Sequence, residues 1–178
     1  MPAEVIERAR QVRLLAMDVD GVLSDGRLYF SASGDELKGF NILDGQGIKL
    51  LQKAGLVTAL ITGRHSPLTA RRAGDLGITH LYQGREDKLV ALGELAGDLG
   101  LRLSQCAYIG DDLPDLSAIR AAGLGVSVPN GYWHVRQAAH WCTRTPGGHG
   151  AVRELSDLIL AARGDLEPLL RAFDRESC

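Results

Sequence analysis

The chain has 178 residues, 45% apolar and 24% charged, a profile that fits a globular protein and excludes a disordered one. Its 20 basic and 22 acidic side chains leave a net charge of −2, which gives no electrostatic footprint for nucleic acid or an anionic membrane. With 22 glycines and only 5% aromatic residues, many tight turns and a core of Leu, Val, Ile and Ala are expected.

In chain order, the opening MPAEVIERARQVRLLAMDVDG alternates charges with aliphatics and carries no signal-like apolar stretch, so export is not expected. Leu14–Asp20 reads as a buried strand, and Gly26–Asn41 as two alternating segments around SASGDE, a β-hairpin. Apolar residues at three- and four-residue spacing predict a helix over Gly47–Gly55, followed by a strand at Val57–Thr62 and a helix at Ser66–Gly77. His80–Gly84 is a shorter strand, Arg85–Gly100 a helix, Cys106–Asp112 a strand, Leu113–Gly123 a helix and Leu124–Val128 a strand. Trp133 and Trp141 flank an amphipathic turn and read as core or interface. Gly147, Gly148 and Gly150 lack the GK[ST] of a P-loop and read as a flexible turn capping a last helix at Ala151–Ala162, with another at Asp165–Phe173.

Near-continuous apolar strands joined by helices predict an α/β fold. It is a three-layer, Rossmann-like parallel sheet with helices on both faces and a projecting hairpin flap, one domain over residues 1–178. No run approaches the roughly 18 apolar residues of a membrane span. Cys106, Cys142 and Cys178 are widely spaced without a CxxC pair, which argues against disulfides or a thiolate zinc site and for a reducing cytoplasm.

In such a sheet ligands bind outside the carboxyl ends of the strands. Three of the five predicted strands end in polar groups there: D-V-D-G, T-G-R and G-D-D. Asp18 and Asp20, two apart in extended chain, would lie on one side about 7 Å apart. With Asp111, Asp112 and Asp115 they make a carboxylate cluster that calls for a hard cation, and Mg²⁺ suits oxygen ligands. Thr62 and Gly63 offer a hydroxyl and a backbone N–H, and Lys88 a positive charge, to phosphate oxygens. Taken singly, each motif has a bland reading: a turn, a helix cap or a solvated lysine. Their order at successive strand ends is what carries the inference. Arg64 reads equally as a substrate clamp or an ordinary charge, and Arg72 as a solvated or interface residue. His65, His80, His134, His140 and His149 show no HxH or HExxH spacing for zinc.

The set DVDG (Asp18–Gly21), ITG (Ile61–Gly63), Lys88 and GDDLPD (Gly110–Asp115) resembles the haloacid dehalogenase superfamily of phosphohydrolases. The resemblance implies that Asp18 is the nucleophile, Asp20 the general acid/base, and Thr62 and Lys88 the phosphate-binding pair. It also implies that Asp18, the Asp20 main-chain carbonyl and Asp111 are Mg²⁺ ligands. Asp112 and Asp115 are then supporting residues that orient a water or the Lys88 ammonium.

DVDGVLSDGRLYF, the ELKGFN…DGQGIKLL run, ALITGRHSPL, LGITHLYQGREDKL, AYIGDDLPDL and GGHGAVREL extend the resemblance over nearly the whole chain. They resemble the cap-less 3-deoxy-D-manno-octulosonate 8-phosphate phosphatases. That family implies a cytoplasmic, Mg²⁺-dependent homotetramer in lipopolysaccharide inner-core synthesis, with the Gly26–Asn41 hairpin as a flap between subunits. Arg64 matches the arginine these phosphatases carry, where related nine-carbon keto-acid phosphatases have TGE. Leu43 and His149 stand where the family often has basic or polar residues, and the phosphatase core is untouched by either. Three alternatives remain at this point: a nine-carbon sugar-acid phosphatase, a receiver-like domain that holds phosphate, and an idle oligomerisation module of the same fold.

Overall fold

In the computed structural model, which describes residues 1–176, all five predicted strands form and share one sheet. They are β1 (Leu14–Met17), β4 (Val57–Ile61), β5 (His80–Tyr82), β6 (Cys106–Ile109) and β7 (Leu124–Ser127). A sixth, β8 (Trp141–Cys142), extends one edge, and the order is β5-β4-β1-β6-β7-β8 with every neighbouring pair parallel. Residues 14 to 17 of β1 pair with Val57–Leu60 on one side and Cys106–Ile109 on the other. The chain therefore turns outward in both directions from β1, and the crevice of the sheet opens at the ends of β1, β4 and β6.

Strand periodicity divides the core into two layers. Leu15 and Met17 of β1 point into one apolar cluster with Ile48, Leu51, Val152 and Ile159, and Leu14 and Ala16 into the other with Leu92, Leu95 and Ile119. The first face is covered by α1 (Ala3–Arg10), α2 (Ile42–Lys53), α3 (Pro67–Asp75) and α7 (Ala151–Arg163), the second by α4 (Lys88–Asp98), α5 (Leu116–Ala121) and α6 (Trp133–Ala138). A last helix, α8 (Leu166–Glu176), packs against α7. Among the described residues no helix is long and apolar enough to cross a membrane.

α2 starts earlier than the predicted Gly47, because Asn41 caps it: its Oδ1 accepts from Leu43 N at 2.8 Å. Two residues into α2, buried Asp44 accepts from Arg153 N at 2.8 Å, serving the start of α7, whose own N-cap is a glycine. α1 and β8 were not legible in the sequence. α1 carries alternating charges, and β8 has only two residues.

The hairpin forms as β2 (Tyr29–Phe30) and β3 (Glu36–Leu37), antiparallel, with Tyr29 opposite Leu37. Leu28, Phe30 and Leu37 are exposed, Phe30 by 64%. Phe40 instead packs against the core, with the Arg72 guanidinium 5.7 Å from its ring centroid. The Gly147–Gly150 turn is pinned rather than free: Gly147 N donates to Asn130 Oδ1 at 2.7 Å and Gly148 N to Val22 O at 2.8 Å. Trp141 lies against the core and Trp133 is exposed. Cys106 and Cys142 are free thiols, and Cys178 lies outside the described residues.

Candidate active site

All nine residues singled out in the sequence line one cavity of about 400 Å³: Asp18, Asp20, Thr62, Gly63, Arg64, Lys88, Asp111, Asp112 and Asp115. It opens where β1, β4 and β6 end. Asp18 N still donates to Ile109 O at 3.0 Å, continuing the parallel ladder by one residue past Met17. The chain then folds over itself, with Leu23 N and Ser24 N donating to Val19 O at 2.9 and 3.0 Å. Asp20 therefore sits on a turn and not two positions further along an extended strand, which corrects the simple spacing argument. Gly21 makes the turn possible: its φ is +93°, and a Cβ there would collide with the Asp111 carboxylate. Asn130 fastens the turn, its Nδ2 donating to Gly21 O at 2.9 Å.

Lys88, the first residue of α4, is 3% exposed and ties the acidic cluster together. Its Nζ is 2.9 Å from Asp18 Oδ1 and 2.6 Å from Asp115 Oδ1. Asp115 is fully buried and accepts twice more at Oδ2, from Asp111 N at 3.0 Å and Asp112 N at 3.1 Å. Gly110 lets it approach, since a Cβ at that position would occupy the space of its carboxylate. Asp112 is exposed and caps the turn after β6, accepting from Leu113 N at 2.8 Å, and Thr62 is buried at the end of β4. Of the two supporting aspartates, Asp115 holds Lys88 and Asp112 does not touch it.

Asp18, Asp111 and Asp115 each present a carboxylate oxygen within 4.8 Å of the others. Burial, then the Asp115 charge, pushes the Asp18 carboxyl up to about 7 against the pull of Lys88. Burial, then Asp18, pushes Asp111 up to about 8. Burial alone would lower the Lys88 ammonium, but Asp18 and Asp115 outweigh it and hold it above its ordinary value. One lysine does not balance three carboxylates, and both Asp115 oxygens are already taken by donors. The oxygens left for a hard cation belong to Asp18 and Asp111, a donor set that fits Mg²⁺.

The hairpin bonds to two residues of the cavity lining, Asp20 and Arg64, which the sequence reading missed. Lys38, its side chain 2% exposed, places Nζ 2.5 Å from Asp20 Oδ1. Glu36 Oε1 accepts from Arg64 Nη2 at 3.0 Å, and Arg64 Nε lies 3.9 Å from Asp20 Oδ2. Arg64 is thus held over the mouth by carboxylates from two elements. The only sequence signal for Lys38 and Glu36 was their place in the ELK run of the hairpin's return strand. Tyr108, which donates to Asp115 Oδ1 at 2.7 Å, read as an apolar strand residue.

A family model described as haloacid dehalogenase-like hydrolase matches residues 77–155. The 3-deoxy-D-manno-octulosonate 8-phosphate phosphatase of Yersinia pestis is 51% identical over 164 residues, 92% of this chain and 88% of that protein. The chain belongs to the 3-deoxy-D-manno-octulosonate 8-phosphate phosphatase family. The Escherichia coli K12 member is 46% identical over 165 residues, 93% of this chain and 88% of its own length. A crystal structure of the Moraxella catarrhalis phosphatase, in complex with magnesium, phosphate and a KDO molecule, superposes with a TM-score of 0.95. It is 47% identical and covers 97% of this chain and 99% of that one.

Proposed function

We propose that this protein is a Mg²⁺-dependent phosphoric monoester hydrolase. It converts 3-deoxy-D-manno-octulosonate 8-phosphate to the free sugar acid and phosphate, for the lipopolysaccharide inner core. The observation that carries the reading is the convergence of Asp18, Asp20, Thr62, Lys88 and Asp111 on one cavity in a member of this family. Arg64 at the mouth, where nine-carbon sugar-acid phosphatases resemble TGE, favours the eight-carbon substrate.

Asp18 attacks phosphorus in line and forms an aspartyl phosphate, while Asp20 gives a proton to the leaving sugar oxygen. Asp20 then takes a proton from water, which hydrolyses the acyl phosphate. Thr62, the Gly63 N–H and Lys88 hold the phosphoryl oxygens and offset charge that grows on them, and Arg64 contacts the sugar acid. Asp18, Asp111 and the Asp20 main-chain carbonyl would hold Mg²⁺, which supplies further charge neutralisation at the phosphoryl group when bound. Asp115 keeps Lys88 in place, and Asp112 shapes the loop beside it.

The working unit is a cytoplasmic homotetramer, the whole chain acting as one catalytic domain. Exposed Leu28, Phe30 and Leu37 on the hairpin supply an apolar surface for neighbouring subunits, and free Cys106 and Cys142 suit a reducing compartment. The test is phosphate release from the eight-carbon 8-phosphate, the nine-carbon 9-phosphate and p-nitrophenyl phosphate in Mg²⁺. The reading requires the highest kcat/KM on the first. A preference for the nine-carbon acid would overturn the substrate, and no turnover of any ester would overturn the enzyme.

A further inference from the structure

Among the described residues Tyr108 is the largest fully buried side chain, and it sits on β6 between β1 and β7. Its ring lies in the apolar layer with Leu92, Leu95 and Ile119, where a phenylalanine would satisfy every packing requirement. Yet its hydroxyl is placed 2.7 Å from Asp115 Oδ1, the same oxygen that holds Lys88 Nζ at 2.6 Å. A carboxylate has about four lone-pair sites. Asp115 fills them with the Lys88 ammonium, the Tyr108 hydroxyl and the backbone N–H groups of Asp111 and Asp112. The sheet fixes the Tyr108 donor and the loop after β6 fixes the two backbone donors, so none of these three can shift to replace another.

We infer that Tyr108 is a positioning residue of the phosphate site: its hydroxyl fixes the orientation of Asp115 Oδ1 from which Lys88, paired with Asp115, also reaches Asp18. The geometry gives the reason. With two donors on Oδ1, the Asp115 charge is shared, and Lys88 keeps its 2.9 Å reach to Asp18 Oδ1 at the cavity. Without the hydroxyl, one Oδ1 site faces an apolar wall, and a buried acceptor without a partner is unfavourable. The carboxylate then turns toward another donor, and the Lys88 ammonium, already 2.6 Å from Asp115 Oδ1, turns with it, away from Asp18 and the phosphate. Burial holds the phenol well above its usual range, so Tyr108 stays protonated and acts only as a donor. This inference rests on the phosphatase reading for the role of Lys88, but not on which sugar acid is cleaved.

The test is Tyr108→Phe, which removes one oxygen and keeps the ring. In Mg²⁺, p-nitrophenyl phosphate and the eight-carbon sugar acid phosphate should lose kcat by the same factor, about 3–30-fold. Orthophosphate, measured by calorimetry, should bind the variant about 3–10-fold more weakly. The same substitution is then made in a Lys88→Met background. If Tyr108 acts through Lys88, it adds less than about twofold to the loss of orthophosphate affinity there. A purely structural tyrosine would give equal losses in both backgrounds, and that result overturns the inference, as does an unchanged Tyr108→Phe enzyme. A Tyr108→Phe chain that does not fold also overturns it, because the hydroxyl would then serve the core. Wild-type protein that binds orthophosphate but cleaves no ester would leave the Tyr108 comparison readable while rejecting the phosphatase itself.

Discussion

The Lys38 ammonium stands 2.5 Å from Asp20 Oδ1, joining the residue after β3 to the turn after β1. The lysine side chain is nearly inaccessible while Asp20 is 21% exposed, so the pair sits at the wall of the cavity rather than on a solvated surface. The hairpin is therefore tied within its own chain to the lining of the cavity, and holds the carboxylate assigned as acid and base.

Replacing Lys38 with methionine keeps the buried stem and removes the charge. Asp20 then loses its shortest contact, at a cost of about 1–3 kcal/mol, and is held only by Ser24 Oγ at 3.4 Å and Arg64 Nε at 3.9 Å. We expect kcat to fall by roughly 10–100-fold, in line with misplacement of a reacting group, with KM changed far less. Steady-state phosphate release and a urea titration of the same preparation check both statements. An unaltered kcat would show that the ion pair has no part in turnover.

The two aspartates at the turn should separate cleanly. Asp18→Asn removes the nucleophile and should abolish turnover and any acid-quenched phosphoenzyme. Asp20→Asn should slow turnover by roughly 10²–10⁴-fold, the usual worth of a general acid/base. Rapid-quench measurements would detect phosphoenzyme in the second variant and none in the first. Near-native turnover by Asp18→Asn would mean that water attacks phosphorus directly.

Activity should vanish in excess chelator and return with Mg²⁺, whereas Ca²⁺, with its looser and higher coordination, should restore little. The raised carboxyls give this a pH signature. Asp18 and Asp111 ionise near 3.8 when unperturbed and at about 7 and about 8 in the metal-free fold. Folding therefore takes up protons between these values, and the stability of the metal-free protein falls as pH rises through that window. Mg²⁺ binds the ionised forms, so its binding releases protons and tightens from pH 6 to pH 8. Thermal melts with chelator should show a lower midpoint at pH 8.5 than at pH 6, and saturating Mg²⁺ should shrink the gap. A chelated protein more stable at pH 8.5 would contradict the assigned shifts.

The hairpin also predicts assembly. Leu28, Phe30 and Leu37 are exposed, and a two-stranded ribbon is only marginally stable by itself in water. Phe30→Asp with Leu37→Asp should break the proposed tetramer into smaller species by light scattering. If neighbouring subunits complete the site, hydrolysis of the sugar acid should drop more than that of p-nitrophenyl phosphate, because the larger substrate would use a neighbour's surface. Phe40→Ala should instead lower the melting temperature, since that ring already packs within its own chain. A double variant that remains tetrameric would remove the hairpin from the interface.

The sequence by itself determined the sheet and the placement of its chemistry. Parallel strands buried on both faces are written as short apolar runs, and ligand groups must follow their carboxyl ends, so the sequence alone assigns Asp18, Thr62 and Asp111 to one cavity. Local patterns could not say who meets whom across distant segments. Phe30 and Phe40 lie in similar alternating stretches, yet one is exposed and the other is covered by Arg72 and the core. Tyr108 matched the apolar rhythm of β6, and Lys38 looked like any charged hairpin residue. Only the folded chain puts the Tyr108 hydroxyl on Asp115, Lys88 between Asp115 and Asp18, and Lys38 on Asp20. The reason is physical: periodicity records which side of an element is buried, whereas a hydrogen bond or ion pair depends on positions that tertiary packing sets to within a few tenths of an ångström.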